Sequence, residues 1–173
     1  MFCFRPRPCR RQIIPPANLN MTKLNRDIVN FFESQGSLVV ITIDSKGYPH
    51  ASCKGAIKIE EEGRLYLMDA YHGQTFKNLK KNPSACVVAF NEHKFKGFCL
   101  KGKARLIHER ELNPEIIKSW EERLTDRLTQ RLLKNIREEK GHSGHPEASL
   151  PKPKYMIVLE VLEVVDLTPT NLK

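Results

Sequence analysis

Three apolar runs divided by two turn signals constrain this chain more than any other feature. Leu38-Val39-Val40-Ile41-Thr42-Ile43 is followed by Asp44-Ser45-Lys46-Gly47, then by a long alternating run from Tyr48 to Ile59. Glu62-Gly63 interrupts next, and Arg64-Leu65-Tyr66-Leu67-Met68-Asp69 completes the set. Apolar runs punctuated by glycine-bearing turn signals predict three strands joined by two tight turns.

The chain then changes character. Tyr71-His72-Gly73-Gln74-Thr75-Phe76-Lys77-Asn78-Leu79-Lys80-Lys81-Asn82-Pro83 reads as one short polar helix with excess positive charge, ended by a proline. A helix N-terminus offers unpaired backbone N–H groups, to which Thr75 adds a hydroxyl and Lys77 an ammonium, so the junction is suited to hold a phosphate. An ordinary connection with solvated lysines is the competing reading, because charged surface helices are common.

Beyond it, Ser84 to Phe90 reads as a buried strand and Phe95 to Ile107 as a longer one, with Gly97 and Gly102 as bends or bulges. Pro114 to Lys140 is helical in pattern, carrying Ile116, Ile117, Trp120, Leu124, Leu128, Leu132 and Ile136 on one stripe. Such a stripe serves the core or a dimer contact. The last strand is expected from Tyr155 to Val165. Near the start, a helix over Thr22 to Ser34 would be capped by Thr22 and place Leu24, Ile28, Phe31 and Phe32 on one face. Antiparallel strands without repeated βαβ units argue for a β barrel with accessory helices.

At 173 residues one core is expected. Residues 1–20 lack periodicity and read as a disordered arm or leader, leaving 21–173 as the domain. The formal charge of +9 owes four charges to Arg5, Arg7, Arg10 and Arg11 in that arm. The remaining lysines are scattered without interleaved aromatics, which argues against nucleic acid and is compatible with steering an anionic ligand. No apolar run is long enough to span a membrane as a helix. Five scattered cysteines, with no secretory signal pattern, argue against a disulfide framework and for a cytoplasmic setting. Cys53, Cys86 and Cys99 fall in apolar strands and read as small core residues. His142 and His145 make only half a metal site, so no metal is expected. No dinucleotide fingerprint, P-loop or serine elbow is present.

Asp44-Ser45-Lys46-Gly47-Tyr48-Pro49-His50, Thr75 to Pro83, and Gly97-Phe98-Cys99-Leu100-Lys101-Gly102-Lys103-Ala104, in this order, give the chain its likeness to a known family. It resembles the FMN-binding split-barrel family typified by pyridoxamine 5'-phosphate oxidase, over residues 22–107 with a weaker echo in the last strand. The resemblance implies a mainly β fold: a six-stranded antiparallel split β-barrel with an N-terminal helix, a short phosphate-site helix and a long helix in the C-terminal half. It also implies a homodimer with FMN at the dimer interface. Carried over by position, Gln74, Thr75, Lys77 and Asn78 fall on the phosphate segment, and Ser52, Cys53 and Lys54 on the strand beside the ribityl chain and ring. Asp69 and Ala70 end the strand leading into the phosphate helix, and Lys101 is a contact from the partner subunit.

Two departures from the family pattern narrow these implications. The oxidase presents an Arg-Lys pair where this chain has Gln74-Thr75, so two charges are missing at the phosphate unless Lys54 or Lys77 substitutes. The oxidase's substrate-binding arginine and histidine near the C-terminus also lack counterparts, which argues against vitamin B6 as substrate. The leading expectation is a flavin-dependent oxidoreductase or flavin reductase acting on a small molecule, with Lys54 beside the ring. A non-catalytic flavin-binding or electron-carrier module is the first rival. A basic β-barrel adaptor without flavin is the second.

Overall fold

The computed structural model describes residues 20–112, 114–137 and 153–172. Six strands close into one antiparallel barrel: β1 (Leu38–Ile43), β2 (Pro49–Glu60), β3 (Arg64–Asp69), β4 (Ser84–Asn91), β5 (Lys96–His108) and β6 (Tyr155–Asp166). Around the barrel they run β1-β2-β3-β6-β5-β4, so the chain enters by two hairpins, and β6 returns to fill the gap between β3 and β5. Among the described residues three α-helices accompany them: α1 (Arg26–Glu33), α2 (Gln74–Lys81) and α3 (Pro114–Ile136). The expected split-barrel architecture is the one observed.

Both predicted turns form for the predicted reason. Asp44 accepts the backbone N–H groups of Lys46 and Tyr48 at 2.8 and 2.9 Å, and Gly47 takes a φ of +91° that the turn requires. These backbone donors, Tyr48 foremost, hold the Asp44 carboxyl below its ordinary range. Gly102 matters for a different reason. Strand β5 shifts register against β6 between Lys101 and Gly102, and a Cβ there would lie 2.0 Å from the Glu160 carbonyl oxygen. The bulge expected at this glycine is therefore a close approach of two backbones.

Strand alternation sorts the barrel interior. Leu38, Val40, Leu65, Leu67, Val87, Leu100, Ile157, Leu159 and Val161 point inward and are almost wholly buried. Helix α1 adds Ile28, Phe31 and Phe32, with Phe31 edge-on to Phe98 at 5.2 Å. This helix begins later than expected: Asn25, not Thr22, is its cap, accepting from Ile28 N at 2.9 Å. Thr22 is pulled away because its backbone N–H and hydroxyl donate to Val161 and Leu162 carbonyls of β6 at 2.8 and 2.6 Å.

A second apolar cluster lies outside the barrel, where Ile116, Ile117 and Trp120 of α3 pack on Ile57, Met68, Met156 and Val158. The helical stripe thus divides: its first half meets the sheet, while Leu132, Leu133 and Ile136 stay exposed. Within the described residues α3 ends at Ile136, short of the expected Lys140, which like His142 and His145 lies outside them. Among the described residues no helix is long and apolar enough to cross a membrane.

Replacing Gly102 by alanine forces the β5–β6 backbones apart. Urea unfolding of the Gly102→Ala variant is expected to show a loss of roughly 1–3 kcal/mol, the usual cost of overpacking a rigid site.

Candidate functional site

The polar residues singled out by sequence gather where β3 ends, α2 begins and β6 starts, and they separate there into two groups. The first fastens α2 to the barrel. Asn78 donates from Nδ2 to Thr42 Oγ1 at 3.0 Å and receives Gln74 Nε2 on its own Oδ1 at 2.7 Å. The Ser52 and Thr75 hydroxyls share one hydrogen bond of 2.9 Å. Thr75 and Asn78 are each 2% exposed, so their side chains face the sheet, whereas Gln74 and Lys77 lie on the outer, exposed side. Gly73 caps α2 with no side-chain hydrogen bond to its first turn, which leaves those N–H groups to solvent or a ligand.

The second group centres on Asp69, the last residue of β3. Its Oδ2 accepts the Tyr155 hydroxyl at 2.6 Å and pairs with Lys54 Nζ at 2.5 Å, and its Oδ1 accepts Tyr71 N at 3.0 Å. The Asp69 and Lys54 side chains are 3% and 13% exposed. A carboxylate buried this deeply is costly unless paired and hydrogen-bonded, and here three donors from three chain segments satisfy it. Register explains the meeting: Asp69 stands opposite Tyr155 in the β3–β6 ladder, and Lys54 lies one step beyond the Gly55–Met68 pair of the β2–β3 ladder. Burial, then the bond to Asp69, pushes the Tyr155 hydroxyl's pKa well above the tyrosine range, so it remains a proton donor. Its ring is held under His72, stacked at 5.5 Å, and against Phe76 at 4.8 Å.

Beside this group opens a cleft of about 190 Å³ between the β2–β3 sheet and α3. Cys53, Lys54, Asp69 and Ala70 line its sheet side, and Trp120, Arg123, Leu124 and Arg127 its helix side. The guanidinium groups are anchored to the sheet and the segment before it: Arg123 Nη1 donates to the Ala56 carbonyl at 3.2 Å, and Arg127 Nη2 to the Gly36 carbonyl. Three cations against one carboxylate give the cleft an anion-attracting balance over apolar walls.

Of the residues selected from sequence, Cys53, Lys54, Asp69 and Ala70 therefore share one cavity, and Ser52, Gln74, Thr75 and Asn78 form the neighbouring belt. Lys77 stands on the outer side of α2. Lys101 lines a separate cavity of about 380 Å³ on the outer face of β1, β4, β5 and β6, where it pairs with Glu163 at 2.9 Å. Cys53 is exposed, contrary to the core role its apolar strand suggested, because this stretch of β2 faces the cleft. Cys99 is buried as that reading expects, while Cys86 is half-buried on the outer face; burial, then the neighbouring Cys86, raises the Cys99 thiol to about 11. Tyr155, Arg123 and Arg127 were missed. Nothing local marks them, since Tyr155 opens an apolar strand and the arginines sit on a charged helix. Among the described residues no cluster of His, Cys, Asp and Glu could hold a metal.

The belt gives a stability prediction. Asn78→Ala leaves the Thr42 hydroxyl buried without its partner and is expected to lower the unfolding free energy by about 1–3 kcal/mol. Lys77→Ala, on the exposed side, should stay within about 0.5 kcal/mol in the same denaturation series.

Comparison with known proteins agrees with the barrel fold. The family model described as pyridoxamine 5'-phosphate oxidase matches residues 24–164. No curated protein sequence matches the chain. Among solved structures, HupZ of Group A Streptococcus superposes with a TM-score of 0.57 at 15% identity, covering 84% of this chain and 94% of the other. A Clostridium acetobutylicum protein related to general stress protein 26 of B. subtilis, of the pyridoxinephosphate oxidase family, gives 0.52 at 17% identity over 85% and 95%. A pyridoxamine 5'-phosphate oxidase-related, FMN binding protein of Nostoc punctiforme gives 0.54 at 17% over 81% and 79%. At these identities the structural likeness is one of fold.

Proposed function

The chain belongs to the pyridoxamine 5'-phosphate oxidase family, and from that premise we propose that it binds FMN at the Lys54–Asp69 cleft and works as a flavin-dependent oxidoreductase or flavin reductase on a small molecule. The observation that carries this reading is the cleft itself: a buried, carboxylate-held ammonium beside apolar walls, next to a helix whose N-terminus is uncapped by side chains. The Nostoc relative named as FMN binding lends it support.

The residues fit such a group. A planar, largely apolar ring suits Ala56, Met68 and Trp120, and an anionic phosphate suits the first turn of α2 with Lys77 on its outer side. At about 190 Å³ the cleft would take the ring edge, with the remainder of the nucleotide along β2 toward Thr75. When bound, a flavin supplies hydride or electron transfer; the protein supplies position, charge and exclusion of water. Lys54, at the cleft, would supply positive charge to offset the negative charge that develops on a flavin on reduction. Arg123 and Arg127 hold α3 over the cleft through their bonds to Ala56 and Gly36, where the helix would shield a bound ring from solvent.

The working unit is proposed to be a homodimer. On the outer face of β1 and β4, Val39 and Phe90 are 37% and 49% exposed, and Ile41, Ile43 and Cys86 border the second cavity with Lys101 and Glu163. A second copy seated there would bury these residues and bring Lys101 to its partner. The cytoplasmic setting completes the proposal, and residues 1–19 of the expected arm lie outside the described residues.

Denaturing the purified protein should release FMN at close to one per chain, identified by absorption and mass. A colourless protein that also takes up no added FMN overturns the reading. Lys77→Ala is expected to weaken FMN binding by about 1–3 kcal/mol, the worth of a charge-assisted hydrogen bond, with the fold unchanged by circular dichroism.

A further inference from the structure

Lys54, Asp69 and Tyr155 lie in one row across three adjacent strands, β2, β3 and β6, and both flanking groups bond the same oxygen, Asp69 Oδ2. Only Lys54 and Asp69 border the cleft. Tyr155 has no exposed surface, and its ring is fixed by His72 and Phe76, so it can act on a cleft ligand only through Asp69. Resting on the flavin reading above, we propose that Asp69 and Tyr155 are positioning residues that set how much of the Lys54 charge reaches the flavin. Asp69 draws the ammonium toward the barrel, and Tyr155 moderates that pull by donating to the same carboxylate oxygen.

Asp69 and the reduced flavin compete for the Lys54 ammonium. Two-electron reduction of a flavin at neutral pH adds two electrons and one proton, which leaves the ring with one more negative charge. An ammonium free to face the ring favours that reduced form, and an ammonium held by a carboxylate favours it less. A hydrogen bond from a neutral donor spreads the carboxylate charge and loosens its hold on a cation. Removing the Tyr155 hydroxyl therefore leaves Oδ2 to Lys54 alone and tightens the pair. Removing the Asp69 charge releases Lys54. The two substitutions act on the flavin with opposite signs, which a merely structural role for either residue would not produce.

The test uses the full chain in two measurements. In the FMN-loaded protein, Tyr155→Phe should favour the oxidised form and Asp69→Asn the reduced form. A tenfold change in the ratio of their affinities corresponds to about 30 mV for a two-electron couple. In a Lys54→Met background neither substitution should move the potential further. If Asp69→Asn does not fold, Tyr155→Phe with and without Lys54→Met decides alone. Shifts of the same sign, or shifts that persist without Lys54, overturn the proposal.

The second measurement needs no flavin. The unloaded protein is treated with an amine-acylating reagent, and modification is followed by peptide mass spectrometry with exposed Lys77 as internal standard. Lys54 should react several-fold more slowly than Lys77 in the parent protein and faster in Asp69→Asn. A Lys54 as reactive as Lys77 in the parent overturns the positioning. Failure to take up FMN, with Lys54 still protected, overturns the flavin reading and leaves the positioning of Lys54 by Asp69 supported.

Discussion

A single buried carboxylate organises one end of this barrel. Asp69 is 4% exposed, and burying its charge is tolerable only because a tyrosine hydroxyl, an ammonium and a backbone N–H converge on it. Those donors come from β6, β2 and the turn into α2, so satisfying one residue fixes the relative positions of three segments. It ends β3, pairs with the Lys54 ammonium and holds the Tyr155 hydroxyl. His72 and Phe76, close to the start of α2, then pack on the tyrosine ring.

A different set of residues seats the short helix. Thr75 and Asn78 turn inward to Ser52 and Thr42, which anchors α2 while leaving Gln74, Lys77 and the uncapped first turn facing outward. The segment from Tyr71 to Pro83 thus carries polar side chains of two kinds, those bonded to the barrel and those that face outward. The missing Arg-Lys pair at Gln74-Thr75 also has a structural consequence. Lysine or arginine at position 75 would be aimed into the barrel wall, because the Thr75 side chain that stands there is buried against Ser52.

Most of the architecture was legible because it depends on local order. Turn chemistry at Asp44 to Gly47 and alternation along β1 to β3 identify their strands without reference to distant residues. The helix cap was misplaced because Thr22 and Asn25 are both good caps, and only the pairing of Thr22 with β6, far along the chain, decides between them. The same limit explains the site. Lys54 and Asp69 could be suspected from their strands, but Tyr155 meets Asp69 through the register of a strand 86 residues away. Arg123 and Arg127 reach the cleft only because α3 folds back over β2.

Entry of a flavin beside Lys54 and Asp69 is the central claim, and mapping FMN onto the protein by amide chemical shifts tests it most directly. Added FMN is predicted to shift the amides of Lys54, Gly55, Ala70 and the first turn of α2, while the Glu60–Gly63 turn is unmoved. Absence of any shift, or shifts confined to surfaces away from β2 and α2, would contradict it.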